Sequence, residues 1–555
     1  MSERILVCAA WPYANGLLHL GHIAGAYLPA DIFARYHRLK GNQVLMVSGS
    51  DQHGTPITIK AEQEGKTPRE VASHYHQTFL ETWQQLGISF DLFTTTETLN
   101  HAEVTGDIFL KLLDKGYIYK DVMQQPYCPK CQRFLPDRYV EGTCPLCRYP
   151  QARGDQCDSC GHPMNPAELT QPQCRICSST PVFKETEHFF LRLSAFQDEL
   201  LAWVRKQTHW RSNVLNFTQR YLEEGLKDRA ITRDIDWGIP LPVRGYPDKR
   251  IYVWFEAVIG YLSASKEWAK ASGDPDKWRA FWEGDARSYY FIGKDNIPFH
   301  TIIWPAMLMG YGNLNLPYDV PANEWVTIES GKFSKSKNRA IWVTDFLSRY
   351  EPDPLRYTIA INMPETNDTD FSWREFFRRN NDELVATYGN LVHRVLTMVY
   401  RNFEGSVPRV ENIAPGAPEL ANSTAAALAE VGELLSRCNF KQALKKAMGL
   451  AAETNRFLDE RSPWKTIKGD RAAAASALYA ALNTISGLKT MLYPFLPASS
   501  QKLHHYLGFG GRVEDAGWQL SRIEPGQKLN EPKPLFNKLD EKLAEAETRR
   551  LGENQ

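Results

Sequence analysis

Two histidines, His19 and His22, stand three positions apart where a short apolar run gives way to a segment with helical spacing. Residues three apart lie on the same face of a helix, so both imidazoles can point to one side. The start of a helix attracts anions, because its first backbone N–H groups have no partner within the helix. Gly21 lies between the two histidines and has no side chain, so a flat ring could approach the backbone there. The pattern predicts a site where both imidazoles donate hydrogen bonds to a polyphosphate.

A second basic motif lies far downstream at residues 331–338, with the sequence Gly-Lys-Phe-Ser-Lys-Ser-Lys-Asn. A lone His-x-x-His pair is equally typical of two polar side chains at the start of a helix. The downstream segment has the composition of a basic loop, with glycine and serines among the lysines. The two motifs together favour a functional site over the structural alternative.

The cysteines form a third pattern, because eight of the ten fall into four Cys-x-x-Cys pairs. Each pair can supply two thiolates to a tetrahedral zinc ion, and an all-thiolate site leaves no open position for catalysis. Disulfide bonds are the alternative, but a cytosolic setting disfavours them. The spacing does not say which pairs share a metal, and Cys8 and Cys438 are predicted to be small buried apolar residues. The pairs are Cys128/Cys131, Cys144/Cys147, Cys157/Cys160 and Cys174/Cys177.

The segments around these motifs predict a doubly wound parallel sheet. Residues 5–9 and 43–48 are apolar runs typical of buried strands, and each leads into a polar loop, where ligands bind in such sheets. Further strands are predicted at 251–255 and 289–292, beyond the cysteines. The cysteine-rich segment therefore has the position of an insertion that splits one nucleotide-binding fold.

Helices are predicted at both ends of the chain. One covers residues 23–40, and a second begins at Thr67-Pro68-Arg69-Glu70, the pattern of a capping box with proline in the first turn. From about 383 to 505 the periodicity is helical throughout, which predicts a bundle, with helices at 424–437, 442–458 and 472–492. The predicted domains are the first half of a Rossmann-type catalytic fold (1–118), a zinc-binding insertion (119–230), the second half of the catalytic fold (231–325), a connector with the lysine loop (326–382), a helical domain (383–530) and a C-terminal segment (531–555).

The composition is that of a neutral chain, with 65 basic and 65 acidic residues among 555. A nucleic-acid partner would have to bind local basic patches, because the chain has no global positive field. The first residues lead directly into a predicted strand and show no secretory leader. The longest apolar stretch, near 302–309, is too short to cross a bilayer. We therefore expect a cytoplasmic protein with no membrane partner.

The histidine and lysine segments resemble the paired signatures of class I aminoacyl-tRNA synthetases, with Phe333 where most members have methionine. Over nearly its whole length the chain resembles the methionyl-tRNA synthetases. The motifs that carry this resemblance are Pro-Tyr-Ala-Asn-Gly at 12–16, Phe-Leu-Pro-Asp-Arg at 134–138, Gly-Lys-Asp at 293–295 and Ser-Pro-Trp at 462–464.

The four cysteine pairs resemble the two-zinc form of this family, which implies two structural zinc sites. By that resemblance, one site is formed by Cys144, Cys147, Cys157 and Cys160, and the other by Cys128, Cys131, Cys174 and Cys177.

The resemblance implies a ligase that joins L-methionine to tRNA(Met), including the initiator tRNA, in two steps. Methionine first reacts with ATP, accompanied by Mg²⁺, to give methionyl-adenylate and pyrophosphate, and the methionyl group then passes to the 3′ end of the tRNA. The histidines would hold the phosphates, and Lys335 would stabilise the charge that develops on pyrophosphate. The implied catalytic residues are His19, His22, Lys332 and Lys335, and the implied ATP contacts are Tyr13, Asn15, His19, Gly21, His22, Gly293, Asp295 and Lys335.

The resemblance also implies a methionine pocket in which Asp51 accepts a charge-assisted hydrogen bond from the substrate's ammonium group. Tyr261 and His300 would border the thioether, and Trp254 would close over it. The implied pocket residues are Ala10, Trp11, Tyr13, Asp51, Trp254, Ala257, Tyr261, Ile297 and His300.

For tRNA, the resemblance implies anticodon recognition by the helical domain, at Asn390, Arg394, Pro463 and Trp464. A splayed base could stack on Trp464. A tryptophan near a helix start is otherwise more typical of a buried core, so the assignment rests on the motif.

Three positions depart from the family pattern. Trp11 stands where many members have leucine, Val258 where many have proline, and Ala386 where some have an amide residue. The first two adjoin the implied pocket, so the family pattern does not define the shape of the pocket in this chain. The chain stops soon after the bundle, without the oligonucleotide-binding domain through which many members dimerise, so we expect a monomer.

Two other classes stay open from the sequence alone. Synthetases for leucine, isoleucine, valine or cysteine share both signatures, although the long editing insertion of the large aliphatic enzymes is not evident. A zinc-knuckle RNA-binding protein without catalysis would explain the cysteines but leaves His19, His22 and Lys335 without a role. Pyrophosphate exchange that depends on one amino acid separates these classes.

Overall fold

The computed structural model describes residues 2–154, 157, 159–160, 164, 166–329 and 340–551. Among these residues, five parallel strands form the central sheet, which confirms the predicted fold class. In spatial order the strands are Ala322–Asn323, Arg287–Gly293, Arg4–Ala9, Gln43–Ser50 and Leu92–Thr95.

Side chains alternate between the two faces of this sheet, because a strand repeats every two residues. Ile5 and Val7 point into one buried cluster, while Leu6 and Cys8 point into the other. Both faces are therefore covered, as is usual for parallel sheets joined by crossover helices. Cys8 and Cys438 are both buried, as predicted.

The helix predicted over residues 23–40 is confirmed, but it begins at Leu20 and contains a wider turn. Residues Ile23–Tyr27 are π-helical and lie between the α-helical segments Leu20–His22 and Leu28–Leu39. The wider turn directly follows the two histidines. Single π-helical turns within α-helices are frequent at functional sites.

The capping box predicted at Thr67 is also confirmed. The Glu70 N–H donates to Thr67 Oγ1 at 3.2 Å, and the Thr67 N–H donates to Glu70 Oε2 at 2.8 Å. The other helices of this half of the catalytic fold are Thr55–Glu64, Pro68–Leu86 and Leu99–Asp114.

The cysteine-rich segment is built on a long antiparallel hairpin formed by the strands Ile118–Cys128 and Val182–Leu191. The first cysteine pair begins where the first of these strands ends. The shorter elements of the segment are the strands Arg133–Phe134, Val140–Thr143, Ala152–Arg153, Thr170–Cys174 and Arg229–Ala230, the 3₁₀ turns Asp137–Tyr139, Pro166–Glu168 and Leu193–Phe196, and the helices Gln197–Val204 and Ser212–Glu223.

The strand predicted at 251–255 is wrong. Only Arg250–Ile251 forms a strand, paired with Thr232–Arg233, and the helix Val253–Glu256 follows almost at once. A short apolar run does not distinguish a strand from a buried helix. The remaining helical elements of the second half of the catalytic fold are Ala257–Ile259, Gly260–Ala271, Arg279–Trp282, Lys294–Asn296, Phe299–Ile303 and Trp304–Tyr311.

The C-terminal region is helical, and the helices predicted at 424–437, 442–458 and 472–492 are confirmed. Across residues 2–329 and 340–551, leaving aside the gaps at 155–165, no helix is long and apolar enough to cross a bilayer. The connector and bundle contain the paired strands Val326–Ile328 and Thr369–Phe371 and the helical elements Val343–Leu347, Pro352–Ile361, Trp373–Arg378, Arg379–Gly389, Asn390–Asn402, Ala417–Ser436, Phe440–Arg461, Pro463–Thr466, Arg471–Leu492, Pro497–Tyr506, Val513–Ala516 and Lys542–Arg550.

The last of these helices folds back onto the connector. The buried carboxylate of Glu547 accepts hydrogen bonds from Arg349 Nη2 at 3.0 Å and from Tyr350 Oη at 2.8 Å. Thr548 Oγ1 donates to Glu329 Oε1 at 3.4 Å. Glu329 is the last described residue before the lysine loop, so the end of the chain contacts the base of that loop.

A buried ion pair joins the catalytic fold, the connector and the bundle. The side chains of Asp31 and Arg356 are both fully buried and 2.6 Å apart. Arg356 also donates to the carbonyls of Pro494 and Phe495, and Asp31 also pairs with Arg35 at 2.9 Å. Such a pair constrains the geometry around it. If the two partners separate, each leaves a charge that is buried away from water and uncompensated.

We predict that Asp31→Asn destabilises the protein by about 3–5 kcal/mol, because it leaves a buried guanidinium without its counter-charge. Burial raises the pKa of Asp31, but Arg35, Arg356 and Ser89 lower it to about 2, below its ordinary 3.8. A carboxyl with a depressed pKa stabilises the fold above its unfolded value and loses this contribution as the pH falls through the folded value.

Urea unfolding of both proteins between pH 7 and pH 3 measures this effect. The difference in free energy of unfolding should be constant near neutrality and begin to shrink below about pH 4. Asp276→Asn, which breaks an exposed ion pair with Arg279, is the control and should cost less than about 1 kcal/mol. A pH-independent difference for Asp31→Asn would contradict the ionic role.

Candidate active site and metal sites

The two histidines stack on each other at the exit of the first strand. Their ring centroids are 3.7 Å apart, and His22 Nδ1 accepts a hydrogen bond from the His19 backbone N–H at 3.0 Å. Because Nδ1 is an acceptor, a neutral His22 ring carries its proton on Nε2. Asn15 lies in the segment between the first strand and the helix Leu20–His22, and Gly21 lies in that helix between the two histidines.

Lys332 and Lys335 lie outside the described residues, but the chain on both sides of their loop runs beside the histidines. Trp342, which follows the loop, forms a backbone bridge with His19, and their ring centroids are 6.2 Å apart. The strand Val326–Ile328, which precedes the loop, lies against the histidine helix. The described chain before and after the lysine segment therefore lies next to the histidine segment.

Asp51 lies at the carboxyl end of the second strand, beside the exit of the first. The Ala14 N–H donates to the Asp51 carbonyl, and the Asp51 N–H donates to the Pro12 carbonyl, each at 2.9 Å. The side chain is 3% exposed, and burial followed by the charge of Glu256 raises its pKa. The pKa of Tyr13 is raised by burial and by Asp51. Asp51 is thus a desolvated carboxyl that is harder to ionise than an exposed one, and a bound cation would favour its charged form.

His300 and Tyr261 form a neutral hydrogen-bonded pair. His300 Nδ1 lies 2.9 Å from the Asn296 carbonyl, and Nε2 lies 2.8 Å from Tyr261 Oη. The carbonyl can only accept, so Nδ1 carries the proton and Nε2 accepts from the hydroxyl. Burial lowers the pKa of His300 to about 4, so the ring is neutral at pH 7. With Ile297 buried nearby, the pair offers ring surfaces to a ligand and no charge.

Trp11 occupies space that two glycines leave open. A Cβ atom at Gly260 would lie 2.7 Å from the indole ring, and one at Gly49 would overlap the ring as well. The indole meets Tyr261 edge-on, with ring centroids 6.5 Å apart. The bulk of tryptophan at this position is therefore accommodated by missing side chains opposite it.

The other predicted ligand residues lie at the carboxyl ends of neighbouring strands. The Ala10 N–H donates to the Phe291 carbonyl at 3.0 Å, which joins the exits of two strands. Gly293 ends the second of these strands. Asp295 follows it and accepts a hydrogen bond from Trp325 Nε1 at 3.0 Å. These residues line one edge of the sheet, where a nucleotide binds in such folds.

A cavity of about 850 Å³ opens between the long hairpin and the helix that carries Trp254. Tyr252, Trp254 and Phe299 contribute aromatic surface to its wall, and Trp254 is 39% exposed. Ala257 lies one helical turn further along, half-buried. The guanidinium of Arg233 stacks on Tyr252 at 3.8 Å and places a cation at this wall.

Three residues of this region were not identified from the sequence. Arg233 is the last residue of the strand Thr232–Arg233, which is too short to show a hydrophobic pattern. His53 and Glu256 are buried and hydrogen-bonded to each other at 2.9 Å across a separation of 203 positions. Only the polar loop that contains both Asp51 and His53 could have signalled the histidine.

The eight paired cysteines gather into two clusters, each with all sulfur atoms within 4.8 Å of one another. The sulfur atoms of Cys128 and Cys177 lie 3.4 Å apart, and those of Cys144 and Cys160 lie 3.9 Å apart. No cysteine in the described residues forms a disulfide. Either cluster could hold a metal ion, and the grouping matches the one that the resemblance implied. The clusters are Cys128, Cys131, Cys174 and Cys177, and Cys144, Cys147, Cys157 and Cys160.

The predicted anticodon residues also lie together. Asn390 and Arg394 are exposed and four positions apart on one helix, so they share a face. The Arg394 guanidinium lies 4.5 Å above the ring of Trp464. Pro463 is buried and begins the short helix that presents this tryptophan.

Comparisons with known proteins agree with this arrangement. Residues 5–396 match the family described as tRNA synthetases class I (M), and residues 407–555 match the anticodon binding domain of methionyl tRNA ligase. The chain is 64% identical over 552 residues, with full coverage of both chains, to a methionine–tRNA ligase of Dehalococcoides mccartyi strain CBDB1. It is 54% identical, over 99% of each chain, to a methionine–tRNA ligase of Thermomicrobium roseum.

The fold is also similar to that of Mycobacterium tuberculosis methionyl-tRNA synthetase in complex with methionyl-adenylate. The TM-score is 0.80 at 25% identity, and the match covers 97% of this chain and 100% of that one. The parallel sheet, the stacked histidines at its first strand and the helical C-terminal region define a class I aminoacyl-tRNA synthetase. The chain belongs to the methionyl-tRNA synthetase family, the methionine–tRNA ligases.

We predict that Gly260→Ala displaces the Trp11 indole, because the added methyl group would lie 2.7 Å from it. Overpacking of this kind costs about 1–3 kcal/mol. The urea midpoint should fall and the KM for methionine should rise. Trp11→Leu combined with Gly260→Ala should recover much of both, since the smaller side chain leaves room.

The matched control is Gly449→Ala, another helical glycine, where an added Cβ has no neighbour within 4 Å. It should leave the KM for methionine unchanged and should raise the urea midpoint slightly if at all, because alanine is favoured over glycine in a helix by up to about 1 kcal/mol. If the double variant is as impaired as Gly260→Ala alone, the close approach of the ring is not the cause.

Proposed function

We propose that this chain activates L-methionine with ATP to methionyl-adenylate and pyrophosphate, and then transfers the methionyl group to the 3′ end of tRNA(Met). The observation that carries the proposal is the stacked His19–His22 pair, with the chain on both sides of the Lys335 loop beside it. The family membership and the methionyl-adenylate bound by the similar M. tuberculosis enzyme support it.

In the first step, an oxygen of the methionine carboxylate bonds to the α-phosphorus of ATP as the bond to pyrophosphate breaks. The reaction needs alignment and stabilisation of the leaving charge, and no covalent enzyme intermediate. His19 and His22 hold the phosphates, and Lys335 contacts the leaving pyrophosphate. An ammonium at about 4 Å contributes roughly 4 kcal/mol at an effective dielectric constant of about 20. Mg²⁺ enters with ATP and shares the charge of its phosphates.

In the methionine pocket, Asp51 receives the ammonium group, and the neutral pair of Tyr261 and His300 borders the thioether. A polarizable sulfur packs well against ring edges. Trp254 closes over the side chain from the cavity wall, and Trp11 limits the depth of the pocket. Tyr13, Asn15, Gly21, Gly293 and Asp295 contribute the remaining ATP contacts.

Pyrophosphate exchange tests the proposal when it is measured with each of the twenty amino acids in turn. Exchange should depend on methionine, and Lys335→Ala should lower its kcat by about three orders of magnitude, the rate equivalent of roughly 4 kcal/mol. The dissociation constant for methionine should change little, because the lysine acts on the leaving group. Exchange driven best by another amino acid, or an equal loss of binding and rate, would overturn the assignment.

For tRNA, we propose that Trp464 and Arg394 form a stacking platform for an anticodon base, with Asn390 on the same face. Base stacking on an aromatic ring contributes about 1–3 kcal/mol. The 3′ end of the tRNA would reach the adenylate through the cavity beside Trp254, where aromatic rings and Arg233 line the wall.

We predict that Trp464→Ala and Arg394→Ala each raise the KM for tRNA by roughly 5- to 150-fold, the equivalent of about 1–3 kcal/mol. Methionine-dependent exchange without tRNA should be unchanged, because both residues lie in the bundle. Trp268→Ala, which removes a half-buried tryptophan of the catalytic fold, serves as the comparison. Loss of exchange in the two bundle variants would make those residues structural.

We propose that each cysteine cluster holds one zinc ion. Tetrahedral zinc with Zn–S bonds of about 2.3 Å places its sulfurs about 3.8 Å apart, close to the 3.4–4.0 Å between paired sulfurs here. With four thiolates the ions hold the tip of the hairpin together and take no part in catalysis. The monomeric state and the cytoplasmic location remain predictions from the sequence.

We predict two zinc ions per chain by elemental analysis. Cys131→Ser and Cys147→Ser should each remove about one ion, because each breaks one cluster of four. Cys438→Ser changes a cysteine outside both clusters and should retain both ions. A content of two after Cys147→Ser would show that its cluster is not a metal site.

A further inference from the structure

His53 is held between two carboxylates in the wall behind the predicted methionine pocket. Its Nδ1 lies 2.9 Å from both oxygens of Glu256, and its Nε2 lies 2.8 Å from an oxygen of Glu97. The His53 and Glu256 side chains are 3% and 0% exposed, so neither reaches bulk water. No role in the activity described above uses this contact.

The geometry fixes the charge of the histidine. Carboxylates accept hydrogen bonds, and a neutral imidazole has a single N–H to donate. With an acceptor at each nitrogen, His53 must carry both protons and a positive charge. Burial alone would lower the pKa of His53, but Glu256 and Glu97 raise it to about 10. The imidazolium therefore persists throughout the neutral range.

The other charged groups around His53 are few. Glu97 also pairs with Arg69 at 2.7 Å, and that arginine stacks over Trp237, whose ring meets His53 edge-on. His101 Nε2 approaches Glu256 at 3.5 Å, while its Nδ1 contacts the hydroxyl of Ser263. Glu97 thus has its own arginine. Burial raises the pKa of Glu256, but His53, at hydrogen-bond distance, and the more distant His101 lower it.

Asp51 shares the loop with His53, and the two are directly linked. The His53 backbone N–H donates to Asp51 Oδ1 at 3.2 Å. The negative charge of Glu256 disfavours ionisation of Asp51, and the positive charge of His53 favours it. After burial, Glu256 is the largest cause that raises the pKa of Asp51, and His53 lowers it. The phenol of Tyr13 also faces Asp51 but is neutral at pH 7.

We propose that His53 is a positioning residue for methionine binding, because its imidazolium balances the buried Glu256 carboxylate and so keeps Asp51 negatively charged to receive the substrate's ammonium group. The inference rests on the ammonium-binding role proposed for Asp51. It assigns the Glu97–His53–Glu256 cluster to the electrostatics of amino-acid binding and gives it no part in the reaction itself.

The test measures pyrophosphate exchange from pH 6 to pH 9 with His53→Gln, Glu256→Gln and the double variant. Without the imidazolium, Glu256 makes Asp51 harder to ionise, so His53→Gln should raise the KM for methionine at pH 7 by roughly tenfold or more. The KM should fall again as the pH rises and Asp51 ionises. The KM for ATP should stay within about twofold.

The double variant separates charge from structure. With both charges removed, neither Glu256 nor His53 acts on the Asp51 carboxyl and its burial is the same as before, so the KM for methionine should return to within about threefold of the parent protein. A purely structural role for His53 predicts that the double variant is at least as impaired as His53→Gln. That outcome, or a KM for methionine that does not depend on pH in His53→Gln, would overturn the proposal.

Two controls complete the experiment. His76→Gln alters a histidine that contacts Ser50 on the preceding strand at 2.8 Å, and it should leave the methionine KM unchanged. Asp51→Asn should lose methionine binding at every pH, and retention of binding would refute the role of Asp51 itself. If His53→Gln does not fold, Glu256→Gln alone decides the matter, since it should leave the methionine KM unchanged or lower at pH 6. An increase there would contradict the proposal.

Discussion

The ion pair between Asp31 and Arg356 is the contact on which the relative placement of the three regions depends. It lies where the first crossover helix, the connector helix Pro352–Ile361 and the carbonyls that follow the bundle helix Arg471–Leu492 meet. Two buried charges satisfied by each other and by backbone carbonyls tolerate one geometry only. That geometry places the connector against the sheet. The segment that leaves the lysine loop, which pairs with the backbone of His19, is thereby held at the nucleotide edge.

The proposed amino-acid pocket has one neutral end and one charged end. At one end, Tyr261 and His300 satisfy each other and remain neutral, so an apolar thioether meets no unpaired donor. At the other end, Asp51 is a desolvated carboxyl, and we propose that the buried cluster around His53 supports its charge. Such a site requires that the titratable groups at one end stay neutral and that the carboxyl at the other end be ionised. Burial with hydrogen-bonded partners achieves both.

Much of the fold was predictable, because the information is local and periodic. The strands at 5–9 and 43–48, the capping box at Thr67 and the long bundle helices were all found at or near the predicted positions. The strand predicted at 251–255 failed because an apolar run of five residues fits a buried helical turn equally well. The cysteine grouping came from family resemblance, not spacing. His53, Glu256 and Arg233 escaped notice because their partners are distant in sequence and no pattern links them.

The contact between the C-terminal helix and the connector has a consequence for how the chain is made. Thr548 lies 219 positions beyond Glu329, which it contacts at the base of the lysine loop. At 5–20 residues per second, a ribosome needs roughly 10–45 s to synthesise that separation. During this interval the nascent catalytic sheet can assemble while the connector surface around Arg349 and Tyr350 stays uncovered. Translation speed therefore sets how long that surface is open to chaperones before Glu547 arrives.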